Sequence, residues 1–165
     1  MRPVGLYFHI PFCRSRCGYC SFVSGCDLSQ RGRYTAALLR AIKTAPIADC
    51  TAATLYFGGG TPTLPGEALI DLLAAVRQKL PLAPDAEITV EANPGTVTLP
   101  LLQRLRQAGF NRISFGLQDC EDEVLRLEGE KVPGPKTVAK SSAAQLRSMS
   151  IEPQIDLRGM ESVEA

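Results

Sequence analysis

Runs with strand character alternate along this chain with runs whose apolar residues recur at helical spacing. That alternation favours a parallel sheet with helices packed on it. Val4 to His9 reads as a first strand, and a helix is expected at about Ser29 to Thr44, with Tyr34, Leu38, Leu39 and Ile42 on one face and Pro46 ending it. Thr54 to Phe57 follows as a second strand. Pro65 then opens a helix in which Leu69, Leu72, Leu73, Val76 and Leu80 repeat up to Pro81. Glu87 to Glu91 alternates polar and apolar as a third strand. Thr98 suits an N-cap for a helix carrying Leu101, Leu102 and Leu105, and Gly109 suits its left-handed end. Arg112 to Gln118 alternates again, with Ile113, Phe115 and Leu117 on one side, as a fourth strand.

From about Leu127 the pattern decays into a stretch rich in Gly, Pro, Lys and Ser. The expected organisation is an α/β unit over 1–126 and a degenerate, loosely structured tail over 127–165, with a short helix at Ala143 to Met149 and a weak fifth strand at Gln154 to Leu157. Four or five βα units fit either an open doubly wound sheet or the first half of a (βα) barrel. A complete barrel needs roughly 250 residues. A chain of 165 can supply only part of one.

Eighteen basic residues against seventeen acidic ones leave a net charge of +1, so no overall field steers the chain to nucleic acid or an anionic membrane. No apolar stretch is long enough to span a bilayer, and the N-terminus lacks a secretory pattern, so a cytoplasmic location is expected. In a reducing compartment six cysteines point to metal or redox chemistry ahead of structural disulfides. Cys13, Cys17, Cys20 and Cys26 are crowded together; Cys50 and Cys120 stand alone and read as small buried hydrophobes.

The unusual residues fall on one rim. In a parallel βα sheet or barrel the ligand sits beyond the carboxyl ends of the strands. The cysteines follow strand one, GGGTPT (Gly58 to Thr63) follows strand two, Glu91 ends strand three before ANPG, and Gln118 ends strand four. Cys13, Cys17 and Cys20 are spaced C-x3-C-x2-C, close enough for one loop to wrap an inorganic centre. Thiolates select zinc or iron-sulfur clusters. A zinc site would want a fourth ligand, for which His9 and Cys26 are the candidates. A three-cysteine loop on a four-iron cluster would instead leave one iron open to a small molecule. The glycine loop lacks the phosphate-loop pattern and its lysine, and it suits an ammonium or an amino-acid backbone as well as an anion.

With Tyr19 just before the last cysteine and the Gly-Gly-Gly-Thr-Pro loop after strand two, the chain resembles the radical S-adenosylmethionine superfamily. The motifs YFHIPFC, GYCSF, YFGGGTPT, EANPGT and NRISFGLQ, spread over residues 5 to about 127, look like the branch containing oxygen-independent coproporphyrinogen III oxidase and the HemW-type haem chaperones. The resemblance implies a [4Fe-4S] cluster on Cys13, Cys17 and Cys20, with the fourth iron chelated by the amino and carboxyl groups of S-adenosylmethionine. It also implies that Tyr7 lies near the cofactor's sulfonium and that Tyr19 touches bound nucleoside or substrate. Gly59, Gly60 and Thr61 would hold the methionine moiety, and Glu91 and Gln118 would make polar contacts to the cofactor. IDLRGM resembles a remnant of the family's fifth strand, which places Asp156 near a family aspartate.

Two departures refine the expectation. The oxidases resemble C-x3-C-x2-C-x-C, whereas the fourth cysteine position here is Phe22, which looks like the chaperone branch. Where the family carries Gly-Arg after strand four, Gly129 is followed by Glu130, whose charge would repel the cofactor carboxylate. The expectation is therefore a truncated copy of a HemW-like haem chaperone, binding haem or a porphyrin and serving a haem-accepting protein. Oxidative decarboxylation of coproporphyrinogen III and an inactive or zinc-binding α/β fragment are the alternatives. An incomplete barrel should also leave strand edges unpaired and an apolar inner face exposed, inviting self-association.

Overall fold

The computed structural model describes residues 1–47, 49–93 and 95–116, together with the backbone of residues 154–156. The elements run β1 (Arg2–Ile10), α1 (Arg31–Thr44), β2 (Cys50–Gly59), α2 (Ala68–Lys79), β3 (Leu82–Ala92), α3 (Leu99–Ala108), β4 (Arg112–Gly116) and β5 (Gln154–Asp156). All five strands pair in parallel, in the spatial order β1-β2-β3-β4-β5. A doubly wound sheet reverses its strand order at a switch point. This sheet has no reversal among its described strands, so it is part of a (βα) barrel winding, one of the two architectures that the alternation allowed.

The helices begin later than sequence periodicity suggests, for local reasons. Gly66 takes φ +63°, a left-handed conformation that cannot sit inside a helix, so α2 starts at Ala68 although Pro65 is a good first helical residue. Asp27 accepts from the Ser29 amide at 3.0 Å and caps a 3-10 turn at Leu28–Gln30, so α1 proper starts at Arg31. The third helix follows expectation: Thr98 Oγ1 accepts from Leu101 N at 3.4 Å, and Gly109 closes the helix at φ +109°.

Strand β3 is longer than the alternating segment Glu87 to Glu91. Ala52 of β2 pairs with Leu82 and Thr54 pairs with Glu87, so two steps along β2 correspond to five along β3. Pro84 falls within that irregularity, where a residue without an amide hydrogen is tolerated. The bulge hides the start of the strand from a period-2 pattern.

Beyond their bulges strands β1 to β4 are in register, so residues sort cleanly between faces. Phe8 and Ile10, Leu55 and Phe57, Ile88 and Val90, and Ile113 and Phe115 are all buried, and they form the core with Leu69, Leu72, Leu73, Val76, Leu102 and Leu105 from the helices. Phe57 is completely buried, stacked on Phe8 at a centroid distance of 4.6 Å and 5.2 Å from Phe110. The opposite face carries Tyr7, Tyr56, Thr89 and Arg112 across one row, and His9 opposite Gly58 and Glu91 opposite Ser114 one step on. This corrects an expectation: the inner face of the partial barrel is polar. A second copy would meet hydroxyls, a carboxylate and a guanidinium there, not an apolar surface.

Strand β5 extends the sheet through Ser114↔Gln154, Phe115↔Ile155 and Gly116↔Asp156. The expected helix at Ala143 to Met149, the boundary after residue 126 and the Gly129-Glu130 departure lie outside the described residues. Among the described residues no helix is long and apolar enough to cross a membrane.

Candidate cofactor site

The chain leaves β1 at Ile10 and does not wander before α1. Gly25 N donates to Pro11 O at 2.8 Å and Cys13 N to Gly25 O at 3.0 Å, a parallel bridge that closes residues 13–25 into a loop. Phe12 anchors the outgoing limb: it is 6% exposed and meets Tyr34 edge-on at 5.5 Å, while the Tyr34 hydroxyl donates to His9 O at 2.7 Å. His9 anchors the returning limb. Its Nε2 lies 2.9 Å from Val23 O, and since a carbonyl only accepts, that nitrogen carries the proton. Nδ1, 3.2 Å from the Tyr7 hydroxyl, is then the acceptor. Cys13, Cys17 and Cys20 sit on this clamped loop, with Cys20 N bonded to Cys17 O at 3.2 Å.

The glycine loop after β2 is laid directly against the cysteine loop. Gly60 N donates to Ile10 O at 3.0 Å and Thr61 N to Phe12 O at 2.7 Å. Gly59 takes φ +127°, and a β-carbon there would stand 2.8 Å from Ile10 O, so neither conformation nor space admits a side chain. At Gly60 a β-carbon would meet the Cys13 sulfur and Phe12 O, both at 2.7 Å. From the other side Glu91 fastens the same loop. Its Oε2 accepts from Gly59 N at 3.1 Å and its Oε1 from the Tyr56 hydroxyl at 2.6 Å.

These loops enclose a cavity of about 330 Å³, the size of a small-molecule site. Seven residues expected at the site from the sequence line it: Cys13, Cys17, Tyr19, Cys20, Gly59, Gly60 and Glu91. Tyr7 does not line the cavity; it is stacked at 6.0 Å on Tyr56, whose hydroxyl donates to Glu91. Although Tyr7 is 59% exposed, partial desolvation of its phenol, then the nearby Glu91 carboxylate, then Tyr34 push its pKa above the ordinary 10.0. Thr61 does not line the cavity; it is 3% exposed and lies behind the wall. Asp156 is placed only by its backbone, opposite Gly116, which does line the cavity. Gln118 lies outside the described residues.

Sequence reasoning missed Asn93, Ser114 and Gly116 on the lining. The last two were legible, because alternation with Ile113 and Phe115 puts them on the polar face. Arg16 lines the same cavity from between two cysteines.

The donor set fits a thiolate-held cluster: three cysteines of one clamped loop face one cavity, beside a glycine backbone that admits no side chain. The zinc alternative fares worse. Both His9 nitrogens are engaged in hydrogen bonds, and Cys26 is exposed beyond the clamp and does not line the cavity. Cys50 is buried at the start of β2, as expected of a lone cysteine, and Cys120 lies outside the described residues.

The description of the radical SAM superfamily matches residues 7–142. The haem chaperone HemW of Escherichia coli strain K12 is 41% identical over 159 residues, which cover 91% of this chain and 42% of that protein. The oxygen-independent coproporphyrinogen III oxidase of Salmonella typhimurium is 40% identical over 135 residues, 76% of this chain and 29% of the oxidase. Among solved structures, the coproporphyrinogen III oxidase HemN from Escherichia coli superposes with a TM-score of 0.84 at 32% identity, covering 94% of this chain and 37% of that one. The chain thus spans less than half the length of these relatives.

Proposed function

The chain belongs to the radical SAM superfamily, and from that premise we propose that Cys13, Cys17 and Cys20 hold a [4Fe-4S] cluster whose open iron takes S-adenosylmethionine. The observation that carries this reading is the convergence of the three cysteines, the Gly59–Gly60 backbone and Glu91 on one cavity at the carboxyl ends of parallel strands. When bound, the reduced cluster supplies one electron to the sulfonium; the hard chemistry is the cofactor's.

This chain's residues bind and orient. The clamp formed by His9 and the Pro11–Gly25 bridge holds the cysteine loop at fixed spacing. The glycine backbone offers a wall without side chains to a zwitterionic amino acid, and Glu91, itself on the lining, holds that wall in place through the Gly59 amide. Arg16, Asn93, Ser114 and the Glu91 carboxylate put polar groups on a lining that also carries Tyr19, Phe22, Pro62 and Ala92, the mixed composition of a site that binds one small ligand with defined orientation.

Within the superfamily we place the chain with the HemW-like haem chaperones, acting on haem or a porphyrin and a haem-accepting partner. Phe22 stands where a fourth cysteine would mark the oxidase. It lines the cavity mouth at 64% exposure. The chain spans 42% of the length of the HemW relative, so the haem-handling role is proposed from that part alone.

The test is anaerobic reconstitution with iron and sulfide, followed by EPR of the reduced protein with and without S-adenosylmethionine. The expected result is about four irons per chain, lost in Cys17→Ala, with a signal that changes when the cofactor is added. Stoichiometric zinc without iron uptake would sink the reading. Haem titration, and an assay for coproporphyrinogen decarboxylation, separate the chaperone from the oxidase; decarboxylation by this chain would overturn the chaperone assignment.

A further inference from the structure

The buried threonine behind the glycine loop has a role that its place in the motif does not suggest. We infer that the Thr61 hydroxyl, turned by Asn93, donates to the Cys13 sulfur, making Thr61 a positioning residue for the first cluster ligand. The inference rests on the cluster reading above and adds to it.

Thr61 is nearly sealed from solvent, and its hydroxyl is flanked by two side chains. Asn93 Nδ2 donates to Thr61 Oγ1 at 3.0 Å, and Cys13 Sγ lies 4.0 Å away, at the outer reach of a hydrogen bond to sulfur. A hydroxyl has one proton to give. With the Asn93 amide occupying a lone pair of Oγ1, that proton is directed to the other neighbour, the sulfur. Ionisation of Cys13 to a thiolate on ligation makes the sulfur the stronger acceptor.

Asn93 is itself held. Its backbone N–H donates to Thr96 Oγ1 at 3.2 Å and its backbone carbonyl accepts from the same hydroxyl at 2.6 Å. Having spent its proton there, Thr96 Oγ1 accepts from Thr63 Oγ1 at 3.1 Å. The loop after β3 is thus tied to both threonines of GGGTPT, one of which ends at the cysteine sulfur. These ties account for a threonine at position 61 and an asparagine after the β3 strand end, neither of which the cavity lining alone requires in that form.

Hydrogen bonds to cluster sulfurs stabilise the more negative, reduced state and raise the reduction potential. Removing the Thr61 donor should therefore lower the potential, loosen Cys13, or both. The experiment compares the full chain with Thr61→Val, Thr61→Ser, Asn93→Ala and the double variant Thr61→Val/Asn93→Ala after anaerobic reconstitution. The readouts are iron and sulfide content and the midpoint potential by EPR-monitored titration.

Thr61→Val should shift the potential downward or lose iron, and Thr61→Ser should restore the wild-type value because it keeps the hydroxyl. Asn93→Ala should shift it in the same direction as Thr61→Val and add nothing in the valine background. Wild-type iron content and potential in Thr61→Val would overturn the inference, as would Thr61→Ser behaving like Thr61→Val. Additive shifts would remove Asn93 from it. Failure of the wild-type chain to take up any cluster would defeat the cluster reading first, and this inference with it.

Discussion

The backbone of Gly60 passes Cys13 so closely that a β-carbon at position 60 would stand 2.7 Å from the cysteine sulfur, well inside van der Waals contact. The two loops were built to fit with nothing between them. Gly60→Ala should therefore push Cys13 or Phe12 aside and weaken cluster retention, by roughly the 10–100-fold typical of disturbed outer-shell contacts. Helical and sheet content by circular dichroism should stay near wild type, because the clash is confined to the loops. Iron content equal to wild type would show that the loops yield without cost.

His9 joins β1 to the returning limb of the cysteine loop through its contacts to Tyr7 and Val23 O. His9→Phe keeps a ring of similar size and removes both hydrogen bonds, each worth about 0.5–1.5 kcal/mol. The loss should be local. Hydrogen exchange at the Cys13 and Gly25 amides, which form the neck of the loop, is expected to accelerate more than exchange in β2 or β3. Unchanged protection at those two amides would mean that the Pro11–Gly25 bridge holds the loop by itself.

The raised pKa of Tyr7 gives a pH prediction. In the folded chain Tyr7 keeps its proton above the ordinary 10.0, so at high pH the folded state binds more protons than the unfolded one. Its contribution to stability is fully present below pH 10.0 and is lost as pH rises through the folded value. Ultraviolet titration of phenolate, with Tyr7→Phe as the reference, should find this residue ionising late. Glu91→Gln should bring it down part of the way only, since burial is the larger cause and the carboxylate the second. A Tyr7 that titrates at the ordinary value in the wild-type chain would show that solvent and not Glu91 or partial burial governs this phenol.

Phe57 is the centre of the core, wholly buried between Phe8 and Phe110. Phe57→Ala removes both ring contacts and leaves a void where β2 meets the helix layer. A loss of about 3–5 kcal/mol is expected in chemical denaturation. A loss under about 1 kcal/mol would mean that the site collapses around the smaller side chain.

Much of the candidate site was legible because strand ends and short motifs are local. Cys13, Cys17 and Cys20, the glycine loop and Glu91 each follow a strand whose apolar alternation is plain, and parallel pairing brings all the carboxyl ends to one rim. Thr61 was legible as part of a motif but not in its place, since its burial depends on Asn93 arriving from the next loop, 32 positions away. Zinc ligation by His9 could not be set aside from the sequence either, because only the contacts to Tyr7 and Val23 O show both ring nitrogens engaged.

The sequence by itself determined the βα alternation, the cysteine spacing and the identity of the family, because hydrophobic period, turn residues and short motifs are properties of neighbours along the chain. Tertiary structure alone decided between a barrel winding and a doubly wound sheet, since strand order depends on which edges meet. It also decided that the inner face is polar, because in-register pairing stacks Tyr7, Tyr56 and Thr89, and then Glu91 and Ser114, side by side from four separate strands. And it decided why position 60 is glycine: the reason is the sulfur of Cys13, brought within reach only when β1 and β2 lie next to one another.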